Sequence, residues 1–205
     1  MSKRKMPAQQ PATSRQDYRT EVELLDAVKR RLNITEFDCD LAADADNTVA
    51  DVFYDIETNA LAGGNSWKQG DGWNWLNPEF GMIEDFAAKA WQQTNDERAK
   101  TVMLVPAGVG ANWWRDFVHR KAQVLFLNGR LCFIPDWETQ LWGPGECIET
   151  DPVDGREIDR VGQRKFISKP LYPKDTALLL YYPPSSAAGH APWYDIWSWR
   201  APRGK

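Results

Sequence analysis

The chain has 205 residues, a net charge of −4 and ordinary apolar and charged fractions, which suits one domain with a single core, or one carrying a large insertion. Three dispersed cysteines and two histidines exclude metal-ligand spacing and speak against a disulfide framework, so Cys39, Cys132 and Cys147 are expected as small reduced residues. A mildly acidic chain is no general polyanion binder, though a local basic stripe can still dominate contact with nucleic acid; with no signal peptide and no bilayer-length apolar run, the expected location is cytoplasmic.

Residues 1–16, MSKRKMPAQQPATSRQ, carry Lys3, Arg4, Lys5 and Arg15 with no acid to offset them, and read as a disordered basic tail. In YRTEVELLDAVKRRLN, Val22, Leu25, Val28 and Leu32 recur at helical spacing. Thr20 with Glu23 forms a T-x-x-E capping box, which predicts a helix starting at Thr20. FDCDLAADADN predicts a short strand that turns near Asp40, and VADVFYD a second strand. LAGGNSWKQGDG is a glycine-rich loop, and WNWLNP a third strand ending in a turn. Ile83, Phe86, Ala87, Ala90 and Trp91 make one helical face. TVMLVPA, residues 101–107, is the continuous apolar run of a strand buried on both sides. NWWRDFVHR is expected to be helical, with His119 structural or on the surface. QVLFLNGRLCFI predicts a hairpin turning at Asn128-Gly129, and TALLLYYPP a last buried strand.

Apolar strands alternating with amphipathic helices predict an α/β sheet covered on both faces, mostly parallel, with the hairpin as an antiparallel edge. Residues 136–174 fit none of this. They are long, rich in glycine, proline and charge, and weakly periodic, as a functional or solvated loop is. Aromatics and bases interleave there (Trp137, Trp142, Arg156, Arg160, Arg164, Lys165 and Lys169), which suits DNA contact, although acids are as frequent. A solvated loop or a dimer contact fits equally. The chain holds 11 tryptophans, more than core filling explains, so some are expected to line a groove or an interface.

Ligands of open α/β sheets bind beyond the carboxyl ends of the strands. Two polar clusters fall there: Asp40-Leu41-Ala42-Ala43-Asp44 and Asn77-Pro78-Glu79-Phe80. An exocyclic aromatic amine is a poor nucleophile because its lone pair is delocalised into the ring. Two acceptors aimed at its N–H groups favour a pyramidal nitrogen with the lone pair turned outward. Asn77 can offer a side-chain oxygen and Pro78 a backbone carbonyl. Phe80 can stack on the ring. A plain turn between strand and helix would use the same four residues.

The order of the motifs goes further. YRTEVELL, DLAADADN, NAL, WLNPEFG, MLVPA, NWW and FLNGRLCF follow one another, with YDIWSW near the end. Over residues 18–134 this series resembles the small phage-type DNA N-6-adenine methyltransferase (Dam-like) family, whose catalytic motif is NPPY or NPPF. The resemblance implies a single Rossmann-like, S-adenosylmethionine-dependent methyltransferase domain over 17–205, in which 136–174 is an inserted loop region whose composition makes it a candidate DNA-recognition element. It implies DNA as partner and methylation of adenine N6, by an enzyme needing no metal. Asp40, beside Ala42, would face the ammonium group of S-adenosylmethionine, and Thr20 would lie next to the same ligand. Asn59 would meet the cofactor adenine, and Asp55 its ribose hydroxyls. Asn77, Pro78 and Phe80 would hold the target base. A turn-capping role for Asp40 stays open, as do base-pocket and packing roles for Asn112-Trp113-Trp114. The alternatives are an RNA amine or a protein glutamine as substrate, or a catalytically weak nucleic-acid-binding relative.

Three positions depart from the family pattern. Glu79 replaces the second proline, which should loosen the loop and add negative charge. Glu21 replaces the proline after Thr20, where both suit a first helical turn. The first motif also lacks a glycine-rich run.

Overall fold

A computed structural model describes residues 18–131, 134–135, 148–150, 157–159, 172–183 and 194–200. Its helices are α1 (Val22–Leu32) and α2 (Ile83–Asp96), supplemented by a 3-10 turn at Phe80–Met82 and a π-helical turn at Trp114–Val118. Its strands are β1 (Tyr18–Arg19), β2 (Cys39–Asp40), β3 (Asn74–Leu76), β4 (Thr101–Pro106), β5 (Gln123–Leu127), β6 (Ile134–Pro135), β7 (Ile148–Thr150), β8 (Glu157–Asp159), β9 (Thr176–Tyr181) and β10 (Tyr194–Trp197). The main sheet has six strands in the order β10-β5-β9-β4-β3-β2. Five run one way, and β9 alone runs against both its neighbours.

Alternation along the strands divides the core into two layers. Met103 and Val105 of β4, Leu179 and Tyr181 of β9 and Leu76 of β3 face one side, where Ile83, Phe86, Ala87 and Ala90 of α2 cover them. Val102 and Leu104, Leu178 and Leu180, and Trp75 face the other, against Leu24, Leu25 and Val28 of α1. Burial on both faces is why these strands read as unbroken apolar runs. Helix α1 ends at Asn33, whose φ of 54° is a left-handed stop. The Ile34 N–H then donates to the Lys29 carbonyl at 3.0 Å, closing the last turn.

Four expectations change here. The predicted hairpin is absent, because both edges of β5 are taken, by β9 antiparallel and β10 parallel. The chain does turn at Gly129, with φ of 113°, but residues 134–135 then pair with β1. The antiparallel member of the sheet is β9, and it lies inside the sheet. Helix α1 starts at Val22 with Glu21 as its cap, and no side chain closes that end, so the Thr20 capping box does not form. Of VADVFYD, only Phe53 bridges to Asp40. Of the described tryptophans, Trp67, Trp75, Trp114 and Trp199 are buried, and Trp75 also lines the cavity described below.

Within 136–174, β7 and β8 pair as an antiparallel ladder. The basic and aromatic residues named above for that segment, the tail 1–16, Cys132 and Cys147 lie outside the described residues. Cys39 is a buried free thiol, and burial first, then Asp40 and Asp38, push it up to about 12. Among the described residues, no helix is long and apolar enough to cross a membrane, and no cluster could hold a metal ion.

Candidate active site

Parallel strands β2 and β3 end at the same edge of the sheet, and a cavity of about 680 Å³ opens beside them. Its size falls in the range of small-ligand pockets. Thr20, Asp40, Ala42, Asp55, Asn59 and Asn77 all line it. Six positions scattered over 58 residues of sequence thus meet around one cavity, counting from Thr20 to Asn77 inclusive.

Asp40 is at the centre, and only 3% of it is exposed. The strand itself delivers it. Its N–H donates to the Val52 carbonyl at 2.9 Å, and its carbonyl accepts from the Tyr54 N–H at 2.8 Å. Its carboxylate accepts from the Ala42 N–H at 3.3 Å and the Val49 N–H at 3.1 Å. Asp40 therefore does shape the turn, as its alternative reading held, while still facing the cavity. Burial pushes its pKa up to about 6, with Asp44 adding to the rise, against the pull of the Val49 and Ala42 amides. Among the described residues no cation pairs with it.

Residues 55–61 form the opposite lip. Asp55 Oδ1 accepts from the Glu57 and Thr58 N–H groups, at 3.0 and 2.8 Å, and from the Thr58 hydroxyl. Those Thr58 bonds hold its carboxyl below the usual range. Asn59 sits at φ 45°, a left-handed position that asparagine tolerates. Its Oδ1 accepts from the Leu61 N–H at 3.0 Å. Helix α2 fastens this lip from below. Buried Lys89 donates to the Ala62 carbonyl at 2.6 Å, and Gln93 Oε1 accepts from the Trp67 N–H at 2.6 Å. Burial lowers the Lys89 pKa.

The NPEF tetrapeptide links β3 to α2. Asn77 is half-buried on the cavity wall, and Glu79 is exposed on its rim. Pro78 is buried, and Phe80 packs on the α2-side core and against Tyr172; neither is among the lining residues. Glu79 keeps a proline-like backbone. Its φ of −53° and ψ of 130° are the angles a proline would take, and its carbonyl accepts from the Met82 N–H at 2.9 Å. Glu21 behaves likewise, with φ −56° and ψ 129°. It stands just before the first helical turn, and its carboxylate meets Arg200 at 3.3 Å. Both glutamates that stand where the family pattern has proline keep a proline-like backbone.

A family model of DNA N-6-adenine-methyltransferase (Dam) matches residues 8–143, which is most of the chain. The chain belongs to the Dam family. It is also 28% identical over 133 residues to the DNA N-6-adenine-methyltransferase of Escherichia phage T1. That alignment takes in 65% of this chain and 47% of the phage protein, so the chain spans about half the length of that relative. Strands β9 and β10 lie beyond the part matched to the Dam family.

Several lining residues were not singled out for the site: Tyr54, Ile56, Trp75, Met82 and Phe86. Ile56 lies between two acids in the sequence, and it is 92% exposed at the lip. Trp75 could not be told from core, since alternation along β3 buries it equally. Trp113 and Trp114 pack edge to face at 5.4 Å, and Trp114 is buried. The two tryptophans therefore pack, Asn112 is exposed, and none of the three is among the lining residues. His119 is exposed, with Nδ1 2.8 Å from the Tyr194 hydroxyl, as a surface reading requires.

Proposed function

We propose that this protein transfers a methyl group from S-adenosylmethionine to the exocyclic N6 of adenine in DNA, on a Rossmann-like methyltransferase fold. The observation that carries the reading is the meeting of Asp40, Asp55, Asn59 and Asn77 on one cavity at the carboxyl edge of the sheet, in a chain of the Dam family. A mostly parallel sheet with helices on both faces and the cavity beyond the strand ends fits that fold.

The residues fit the cofactor. A buried carboxylate without a cationic partner among the described residues favours an ammonium group, which would draw the Asp40 pKa back down. Thr20 and Ala42 stand beside it. Asp55, held ionised by its turn, is an acceptor for ribose hydroxyls. Ile56 supplies an apolar face to a ring, and Asn59 an amide edge. When bound, the cofactor supplies a methyl group already activated on a sulfonium.

The chain supplies position and electrostatics. Asn77 and the Pro78 carbonyl accept the two N–H groups of the target amine and turn its lone pair out of conjugation. Phe80 stacks on the base, a contact worth about 1–3 kcal/mol. Orienting the reacting groups in line contributes about 7–11 kcal/mol. The proton lost from nitrogen passes to water afterwards, so no strong general base is needed. A base in duplex DNA must first leave the stack, costing a few kcal/mol; segment 136–174 is proposed to offset that cost by DNA contact.

Incubation with methyl-tritiated cofactor and DNA, followed by nucleoside analysis, tests the reading. N6-methyladenine is the expected product; label found only in RNA or protein refutes the DNA substrate. Asn77→Ala should lower kcat by about hundredfold or more, on the scale of removing one transition-state hydrogen bond, with the fold intact by circular dichroism.

A further inference from the structure

Phe80 has a backing. Its ring meets the Tyr172 ring at 5.6 Å between centroids and 58° between planes. Tyr172 comes from a distant part of the chain, and short bonds hold its surroundings. Its N–H donates to the Leu131 carbonyl at 2.7 Å. Arg130 Nη1 donates to the Pro173 carbonyl, and Arg130 Nη2 lies 3.2 Å from Asp175 Oδ1. The Arg130 carbonyl in turn accepts from Arg200 Nη2 at 3.0 Å, and the same Arg200 atom meets Glu21, next to Thr20 on the cavity wall. The Arg130–Asp175 pair is largely exposed and adds little stability by itself. What it does is geometric: with the Leu131 bond, it clasps residues 172–175 so that one ring is pressed on Phe80.

We propose that Tyr172 is a positioning residue for methyl transfer, holding the Phe80 ring in its stacking orientation, and that Arg130 acts through Tyr172. The proposal rests on the role of Phe80 given above. Phe80 begins a single 3-10 turn and is half-buried; the α2-side core takes one part of its ring, and Tyr172 covers another. Misplacement of a substrate-orienting group by about 1 Å can lower a rate by about hundredfold.

The test measures kcat and KM for DNA, cofactor Kd by calorimetry, and the thermal midpoint, for the full chain and its variants. Tyr172→Ala should lower kcat/KM by about tenfold or more with cofactor Kd unchanged. Tyr172→Phe keeps the ring and should stay within about twofold of wild type, the error of such comparisons. Should Tyr172→Ala melt early, Tyr172→Leu makes the same comparison with the volume largely kept. Arg130→Ala should fall in the same direction, and combining it with Tyr172→Ala should add nothing, since both act through one ring. Unchanged kcat/KM in Tyr172→Ala, equal impairment in Tyr172→Phe, or additive losses in the double variant would each overturn the proposal. Phe80→Ala separates the levels. Impaired Phe80→Ala with active Tyr172→Ala defeats this inference alone, whereas fully active Phe80→Ala defeats the role given to Phe80.

Discussion

At Asp40 the chemistry of one carboxylate links shape, stability and binding. A folded pKa raised from 3.8 to about 6 means that the folded state binds a proton more readily than the unfolded chain between those values. The penalty of burying the charge is therefore fully present above pH 6 and is relieved as pH falls toward 4. Asp40→Asn has no such charge, so wild type should gain stability relative to it, by on the order of 1–3 kcal/mol, when urea unfolding is repeated at pH 5 rather than pH 7. Cofactor binding should move oppositely. Protonation would remove the partner proposed for the ammonium group, so calorimetric affinity should weaken as pH falls through 6, and Asp40→Asn should flatten that dependence. Glu79 offers a second test at this scale. Its backbone already matches proline, so Glu79→Pro should keep activity and raise unfolding stability by about 0.4–1 kcal/mol, through the unfolded chain. A loss of stability on urea titration would show that the side chain or its N–H is needed there.

Helix α2 is the element that makes the cavity lip rigid. Its apolar face follows from spacing, since Ile83, Phe86, Ala87 and Ala90 fall on one stripe against β3, β4 and β9. Two polar residues at the edge of that stripe, Lys89 and Gln93, are buried as well. They are there because residues 60–67 run across the helix and present main-chain groups to it. Gln93→Ala leaves the buried Trp67 N–H without its acceptor, which should cost about 1–3 kcal/mol. Because residues 55–61 form the cavity lip, cofactor affinity should weaken with it, as calorimetry would reveal. In sequence Gln93 looks like any solvated helix position. Only the crossing loop makes it structural.

Across the whole molecule, the part matched to the Dam family stops at 143, before the strand that joins the two halves of the sheet. All six residues of β9 are buried, between β4 and β5. A chain ended at 143 would bare one long edge of β4 and, lacking β10 as well, both edges of β5, with nothing to join them. It should lack cooperative unfolding by circular dichroism, whereas a cooperative transition would mean that 18–131 folds without β9.

How much was legible follows from range. Local periodicity and composition marked α1, α2, β4 and β9, because the sequence signature of a face buried on one or both sides is carried within the element. The Dam motif order picked out Thr20, Asp40, Asn59 and Asn77, which the fold does bring to one cavity. The hairpin at Asn128-Gly129 failed because a turn dipeptide reports the turn and not which strands compete for the edges of β5. The capping box at Thr20 failed because the helix begins later than the pattern suggests, with the extended Glu21 at the cap position and no side chain closing that end. The sequence alone determined which segments are apolar and which side chains can do amine chemistry, since both are properties of neighbouring residues. The tertiary structure decided strand order, the lodging of Asp40 out of water and the seating of Tyr172 on Phe80, since each depends on chain segments that meet only after folding.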